Sequence, residues 1–219
     1  MEKVSLLDNN REAERIGVDA CLLVVPYYNR PSQQGLLEHF KAIAKSTTLP
    51  CIIYNVPSRT ATNLTANTLI KLSQIDNIVG VKEASGNFGQ IAEIIQGTSG
   101  DFLIYSGNDS DTVPILALGG YGVISVASHL VGVQIKDMVK KALDGKFQEA
   151  ARIHRYLLAL VNALFIVSNP APVKWALNYV GFPVGKPRLP LVEPDEESAS
   201  LIEATLKDYK IDLPISKGR

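Results

Sequence analysis

The chain is poor in the residues that build metal sites and disulfide frameworks. Its 219 residues include only two cysteines, three histidines and one tryptophan. Cys21 and Cys51 both lie in apolar runs of strand length, so we expect them to be reduced core residues of a cytosolic protein. The histidines, at positions 39, 129 and 154, are scattered and form no pattern of metal ligands. The sequence therefore predicts no metal site.

An excess of charge of one sign is also absent. Lys and Arg together number 22, as do Asp and Glu, and no basic run is interleaved with aromatic residues. We therefore expect no nucleic-acid partner. The apolar stretches are of strand length or are interrupted by charges, and the N-terminus has no apolar segment followed by small residues. These absences predict no membrane-spanning helix, no signal peptide and a cytoplasmic location.

What the chain does have is a repeat of short apolar runs with helical patterns between them. The runs start roughly every 20 to 30 residues, which is the spacing of βα units. Continuous apolar runs favour strands of a parallel sheet, which is covered on both faces. We predict five strands: Ala20–Pro26, Cys51–Val56, Ile78–Ala84, Phe102–Ser106 and Gly122–Ala127.

Helical periodicity fills the gaps between these strands and continues after them. Ser32 and Thr65 are placed to cap two of the connecting helices. No strand pattern remains beyond residue 130. Four helices are predicted there: Val133–Leu143, Lys146–Phe165, Pro172–Val180 and Asp195–Tyr209. We therefore expect residues 1–130 to form a partial β/α barrel of five strands and residues 131–219 to form a C-terminal helical region.

A TIM (β/α)8 barrel is the natural candidate for such a repeat. In that fold the reactive side chains come from the carboxyl ends of several strands. Five strands over about 130 residues are too few for a complete barrel, which takes about 250 residues. We predict an α/β fold of TIM-barrel type that lacks about the first three βα units and carries a C-terminal helical extension. Its open sheet would expose two edges and part of an apolar interior.

Lys82 ends the third predicted strand, where a charge among apolar neighbours is costly. Burial lowers the pKa of the amine toward neutrality and makes the amine a nucleophile. Tyr54 lies near the end of the second predicted strand and Arg59 just after it, at a similar height. An amine, a phenol and a guanidinium suit imine chemistry on an acidic carbonyl substrate. The two-residue period of a strand places Gly80 beneath the Lys82 stem and turns Glu83 to the other face.

Four motifs in order along the chain closely resemble those of the dihydrodipicolinate synthase family, also called 4-hydroxy-tetrahydrodipicolinate synthases. They are Pro26–Pro31, Tyr54–Thr60, Val81–Asn87 and Ser106–Asp109. The resemblance runs from about Glu12 to the C-terminus, and the family's first three strands have no counterpart in this sequence. It implies a Schiff-base lyase that condenses pyruvate with aspartate semialdehyde in lysine and diaminopimelate synthesis.

The resemblance also implies roles for individual residues. Lys82 matches the lysine that forms the imine with pyruvate, and Tyr54 matches a tyrosine that relays protons to and from it. Arg59 matches the residue that holds the carboxylate of the second substrate, for which a planar guanidinium is a good bidentate partner. Tyr28 matches a tyrosine that reaches across a subunit interface to complete the neighbour's relay.

Gly107 and Ile124 match positions whose backbone lines the pyruvate site. The resemblance implies small-molecule substrates, a homotetramer, and no metal or organic cofactor. In the family a threonine pair near the end of the second strand connects the two tyrosines and binds the pyruvate carboxylate. That strand has no counterpart in this sequence, so we expect an incomplete proton relay and reduced or lost activity.

Two other functions stay open from the sequence. The first is another pyruvate-dependent aldolase of the same superfamily, such as N-acetylneuraminate lyase or a 2-keto-3-deoxy sugar acid aldolase. Those enzymes share the tyrosine and the lysine, while the run Ser58–Thr60 favours the synthase. The second is an inactive protein that persists only as a folded or oligomerising scaffold. A lysine or tyrosine considered alone is more often solvated or packed in a core, so the assignment depends on the four motifs together.

Overall fold

Five parallel strands form one sheet in the computed structural model, which describes residues 12–213. The strands are β1 (Cys21–Val24), β2 (Cys51–Asn55), β3 (Ile78–Glu83), β4 (Leu103–Ser106) and β5 (Gly122–Val123). Each strand pairs in parallel with the next one along the chain, so β1 and β5 lie at the two edges of the described sheet. The predicted α/β fold with a five-stranded parallel sheet is confirmed.

Helices connect the strands and follow the sheet, and residues 12–16 are also helical. The connecting helices are α1 (Gln33–Ala44), α2 (Pro57–Thr60), α3 (Ala66–Leu72), α4 (Phe88–Gly97) and α5 (Thr112–Leu118). After the sheet come α6 (Ser128–Leu143), α7 (Phe147–Ala163), α8 (Ala171–Tyr179) and α9 (Glu196–Leu206). None of the helices in residues 12–213 combines the length and the apolar character needed to cross a membrane.

Side-chain caps explain where two of the connecting helices begin. The Ser32 hydroxyl accepts a hydrogen bond from the Gly35 N–H at 3.2 Å, which confirms the predicted cap of α1. Asn87 caps α4 in the same way. Thr65 precedes α3 as predicted, but its hydroxyl donates to Gln33 Oε1 at 3.0 Å instead of capping its own helix. The start of α3 was therefore predicted correctly, but the hydrogen bond from Thr65 to Gln33 was not predicted.

The sheet has two different faces. In β1 the side chains alternate strictly, since Cys21 and Leu23 are buried while Leu22 and Val24 are exposed. The buried face packs against apolar side chains of α1, α3 and α4 in one continuous core. Cys51 belongs to this core as a free thiol, and burial raises the pKa of that thiol to about 11. The other face is partly exposed, and it carries the candidate site.

The fifth strand is shorter than predicted. The apolar run Gly122–Ala127 contributes only two residues to the sheet, and a first helical turn of α6 begins at Ser128. The Ser125 hydroxyl accepts a hydrogen bond from the Ser128 N–H at 2.8 Å at the start of this turn. Val131, with a φ of −130° and a ψ of 41°, separates it from the rest of α6, which begins close to the predicted Val133. A short apolar run has no period that separates a strand from the start of a buried helix, which accounts for the error.

The chain divides into two compact units between Ile124 and Ser125. The first contains the sheet and its connecting helices. The second contains α6 to α9, in which α6 packs on α7 and α9 packs on both α7 and α8. Their status as separate domains, predicted with a boundary at residue 130, stays a prediction.

Gly80 lies where β3 approaches β4 most closely. A Cβ atom at this position would lie 2.4 Å from the Leu103 carbonyl oxygen, a distance that no packed structure tolerates. The pairing of β2 with β3 also shifts just before Gly80. The close approach of β4 therefore requires glycine at position 80. From the sequence alone we expected a different reason, which was room beneath the Lys82 side chain.

Gly80→Ala should destabilise the chain by about 1–3 kcal/mol, because the added methyl group must displace the backbone of β4. Gly100→Ala is the matched control, since a Cβ atom there meets nothing within 4 Å. Urea unfolding followed by circular dichroism measures both variants. Equal unfolding midpoints for the two would contradict this account of Gly80.

Candidate active site

A row of side chains crosses the partly exposed face of the sheet near the carboxyl ends of the strands. The register pairs Val24 with Tyr54, Tyr54 with Lys82, Lys82 with Tyr105, and Tyr105 with Gly122. Residues paired in parallel strands point to the same face, so two tyrosines flank one lysine. We call these three residues the Tyr54–Lys82–Tyr105 row. It brings together two of the predicted site residues, and Tyr105 was not among them.

The amine of Lys82 lies over the ring of Tyr54, with 4.3 Å between Nζ and the ring centroid. Lys82 is half-buried, and burial lowers the pKa of its amine. The negative charge of Asp109 opposes this effect, while the positive charge of Arg59 adds to it. A lowered pKa increases the fraction of uncharged amine near neutral pH, and the uncharged amine is the nucleophile.

The phenol groups beside Lys82 respond to burial in the opposite direction. Burial raises the pKa of Tyr54, and the charge of Arg59 lowers it by a smaller amount. Burial also raises the pKa of Tyr105, whose ring meets that of Tyr121 edge-on at 5.4 Å. Both phenols are therefore protonated at neutral pH, and their hydroxyl groups can donate and accept hydrogen bonds. The row therefore places an amine of lowered pKa between two phenol groups.

Arg59 reaches the site from a separate element. The helix α2 begins at Pro57, a favourable first position, and Ala61, which follows its last residue, is left-handed. Arg59 itself is exposed, and its charge acts on both Tyr54 and Lys82. Its predicted role in holding a carboxylate stays a prediction.

Asp109 is a site residue that the sequence reasoning missed. It lies in the 3₁₀ turn Asp109–Asp111 after β4, and only 4% of its surface is exposed. Its charge raises the pKa of Lys82 and so helps set the reactivity of the amine. In the sequence, an acidic residue just before a helix looks like an ordinary cap. The position of Tyr105 could have indicated a site residue. It is the second-to-last residue of β4, and β4 leads directly into Gly107.

Gly107 and Ile124 follow β4 and β5 directly, and both extend the sheet through their backbones. The Gly107 N–H donates to the Glu83 carbonyl oxygen at 2.7 Å, and the Ile124 N–H donates to the Ser106 carbonyl oxygen at 3.0 Å. The predicted role of both residues in lining the pyruvate site stays a prediction. A Cβ atom at Gly107 would also lie 2.7 Å from Ala84 Cβ, so the close approach requires glycine.

Tyr28 lies apart from the row in the described chain. It follows β1 in a loop, its φ is 70°, and 92% of its surface is exposed. The β1 residue that pairs with Tyr54 is Val24 instead. Arg30 in the same loop is also left-handed, with a φ of 43°, and two such residues close together are costly enough to suggest a functional reason. The predicted role of Tyr28 across a subunit interface stays a prediction.

Within residues 12–213, no three His, Cys, Asp or Glu side chains are grouped so that they could hold a metal ion. Asp109 is the acidic residue whose charge affects the row, since it raises the pKa of Lys82.

Comparison with known proteins identifies the family. Residues 6–209 match the dihydrodipicolinate synthetase family. The chain belongs to this family. The match covers the whole Tyr54–Lys82–Tyr105 row and most of the helical region, so the resemblance drawn from four short motifs is confirmed over nearly the full sequence.

Individual relatives agree with this assignment. The 4-hydroxy-tetrahydrodipicolinate synthase of Dehalococcoides mccartyi (strain CBDB1) is 62% identical over 209 residues, which cover 95% of this chain and 70% of the relative. The crystal structure of the dihydrodipicolinate synthase from Cyanidioschyzon merolae with lysine bound has a TM-score of 0.91 and 45% identity, and covers 92% of this chain and 69% of that one. For the enzyme from Aquifex aeolicus the TM-score is 0.91 at 42% identity, with 96% and 72% covered.

The similarity to solved structures settles the fold class. The chain spans about 70% of the length of each of these family members. Over that length it has the fold of the family's TIM barrel, with a parallel sheet, connecting helices and a helical extension. The predicted fold of TIM-barrel type is confirmed.

The lowered pKa of Lys82 can be measured by competitive labelling with acetic anhydride at a series of pH values, followed by peptide mapping. We expect Lys82 to titrate below 10.5, the ordinary value for lysine. Tyr54→Ala should move its pKa up toward that value, because water would reach the amine. Tyr54→Phe keeps the ring and should leave the pKa lowered. An ordinary titration of Lys82 in the unaltered chain would contradict the description of the site.

Proposed function

We propose that this chain condenses pyruvate with aspartate semialdehyde through an imine at Lys82, as a 4-hydroxy-tetrahydrodipicolinate synthase. One observation carries the proposal: the half-buried amine of Lys82, with its lowered pKa, lies 4.3 Å from the Tyr54 ring centroid. The identity of 62% to a synthase supports this reaction over that of a sugar acid aldolase.

Imine formation needs an uncharged amine and a proton donor. The Lys82 nitrogen attacks the ketone carbon of pyruvate, and the carbonyl electron pair moves to the oxygen, which takes a proton. The nitrogen gives up its two protons as the oxygen leaves as water, so that a C=N bond replaces the C=O bond. Tyr54 is suited to deliver and recover the proton, because its ring lies beside the amine and a phenol hydroxyl can both donate and accept.

The imine then makes a carbon nucleophile. It withdraws electrons from the methyl group of the bound pyruvate, and loss of a methyl proton gives an enamine. The enamine carbon attacks the aldehyde carbon of aspartate semialdehyde, forming the C–C bond, and the aldehyde oxygen takes a proton. Arg59 suits the carboxylate of this second substrate, since its guanidinium is exposed beside the row and binds carboxylates in a bidentate manner.

Assembly and location belong to the same proposal. Tyr28 is exposed on a strained loop after β1, which is where a residue that serves a neighbouring subunit would lie. We therefore expect a homo-oligomer, a tetramer by family resemblance. A cytoplasmic location, with small molecules as the only substrates, is expected from the sequence.

Borohydride reduction in the presence of pyruvate should leave a stable adduct on Lys82, detected by intact mass and peptide mapping. Lys82→Ala should abolish the adduct. Tyr54→Phe should slow its formation by about 10²- to 10⁴-fold, because a positioned proton donor is lost while the ring remains.

The same trapping experiment on the unaltered chain distinguishes the candidate functions. Absence of an adduct at Lys82 would contradict the proposal and favour the inactive scaffold. An adduct with cleavage of sugar acids, but no condensation with aspartate semialdehyde in a coupled assay, would assign the chain to the other aldolases. An adduct without turnover of either kind would show the incomplete relay that the sequence predicts.

Arg59→Ala should raise the KM for aspartate semialdehyde roughly ten- to a hundredfold, as expected for loss of hydrogen bonds to a charged group. The rate of pyruvate trapping by borohydride should fall much less, and only because loss of the guanidinium charge raises the pKa of Lys82. Arg188→Ala removes an exposed arginine outside the first unit and serves as control. A fall in trapping as large as the rise in KM would place Arg59 at the pyruvate step instead.

A further inference from the structure

Glu83 follows Lys82 on β3 and points to the opposite, buried face, where only 1% of its surface is exposed. Its carboxylate accepts hydrogen bonds from Asn55 Nδ2 at 3.1 and 3.2 Å, from the Ser85 N–H at 2.7 Å and from Gln90 Nε2 at 3.5 Å. Burial raises the pKa of this carboxyl group, and the hydrogen bonds oppose that effect. All of these donors are uncharged, so the group is buried at a considerable cost.

The carboxylate joins the two strand ends that carry the reactive pair. Asn55 pairs with Glu83 in the register one step after Tyr54 pairs with Lys82. The Asn55–Glu83 contact therefore lies directly behind the phenol and the amine, on the other side of the same two strands. The Asn55 side chain is fixed from both ends, because its Oδ1 also accepts from the Leu64 N–H at 3.0 Å.

The same network holds the segment that follows Arg59. Asn63 Oδ1 accepts from Asn55 Nδ2 at 3.0 Å and from Gln90 Nε2 at 3.3 Å, and Asn63 Nδ2 donates to Gln90 Oε1 at 2.8 Å. From α1, Gln33 Nε2 donates to the Asn63 carbonyl oxygen at 2.8 Å. The network thus connects β2, β3, α1, α4 and the chain just after α2.

We propose that Glu83 is a positioning residue, whose carboxylate clamps the ends of β2 and β3 so that the Tyr54 ring stays over the Lys82 amine. This inference rests on the proposed function of Lys82 as the imine-forming amine. A role in fold stability alone does not explain well why a carboxylate is buried here. Well-packed apolar side chains can often replace buried ionic groups without loss of stability. The apolar neighbours Ile53 and Val81 already pair and bury the middle of the same strands.

The polarity of the network makes the proposal testable. Glu83→Gln keeps the size of the side chain but turns an amide N–H₂ group toward donors. At least one bond to Asn55, Ser85 or Gln90 must then fail. If the clamp loosens, water reaches Lys82, and its pKa should rise by about one unit, with about tenfold slower trapping of pyruvate near neutral pH. Simple removal of a nearby negative charge would lower the pKa of Lys82 instead, so the direction separates the two effects.

Asn77→Asp is the matched control. Asn77 precedes the opposite end of β3, and its Nδ2 donates to the carbonyl oxygens of Ala44 at 2.9 Å and Thr47 at 3.0 Å. The variant also puts a wrongly polar group into a network of hydrogen bonds, so it should lower the melting temperature as Glu83→Gln does. It should leave the titration of Lys82 in the folded chain unchanged, because it does not touch the clamp.

A reversed pair gives the rescue. Asn55→Asp alone places two carboxylates together and should disrupt the clamp. In the double variant with Glu83→Gln, the new amide can donate to the new carboxylate, which still accepts from the Leu64 N–H. Gln90 Nε2 continues to serve Asn63 Oδ1 and the Leu64 carbonyl oxygen. We expect the double variant to titrate closer to the unaltered chain than either single variant does.

The experiment measures melting temperature, acetic anhydride labelling of Lys82 and pyruvate trapping for all of these variants. A rise in the pKa of Lys82 for Glu83→Gln, none for Asn77→Asp, and recovery in the double variant support the positioning role. An unchanged or lowered pKa in Glu83→Gln, the same change in Asn77→Asp, or a double variant no better than its worse parent would overturn it. Labelling needs no pyruvate, so it judges Glu83 even if the unaltered chain forms no adduct.

Discussion

The register between β2 and β3 is the constraint on which the rest of the site depends. Pairing Tyr54 with Lys82 also pairs Asn55 with Glu83, because side chains alternate between the two faces. A slip of one residue would bury the phenol and the amine among the helices and would expose the amide and the carboxylate. The register that brings Tyr54 and Lys82 together therefore also brings Asn55 and Glu83 together on the opposite face.

Burial is the second link between the fold and the chemistry. It lowers the pKa of the Lys82 amine and raises the pKa of the Tyr54 phenol, because water is withdrawn from the charged form of each. The shift increases the uncharged, nucleophilic fraction of the amine, while the phenol stays in its protonated form. Asp109 and Arg59 then adjust the pKa of the amine in opposite directions.

Much of the fold could be predicted because its local patterns are strong. Five apolar runs marked the strands, and Lys82 and Tyr54 stood out as polar residues at two strand ends. The features that the sequence did not predict depend on contacts between residues distant in sequence or on short, ambiguous elements. The Asn55–Glu83 clamp joins residues 28 positions apart, and nothing local to either one signals a partner. Asp109 looked like a helix cap, and the run after Gly122 did not show that the strand would end at Val123.

A crystal structure of the chain soaked with pyruvate would test the central claim most directly, since it shows whether the paired register creates a working imine site. The account predicts continuous density between Lys82 Nζ and the second carbon of pyruvate, with the Tyr54 hydroxyl within hydrogen-bond distance of the imine or of the released oxygen. An unmodified Lys82 with pyruvate bound elsewhere, or an adduct on a different lysine, would contradict it.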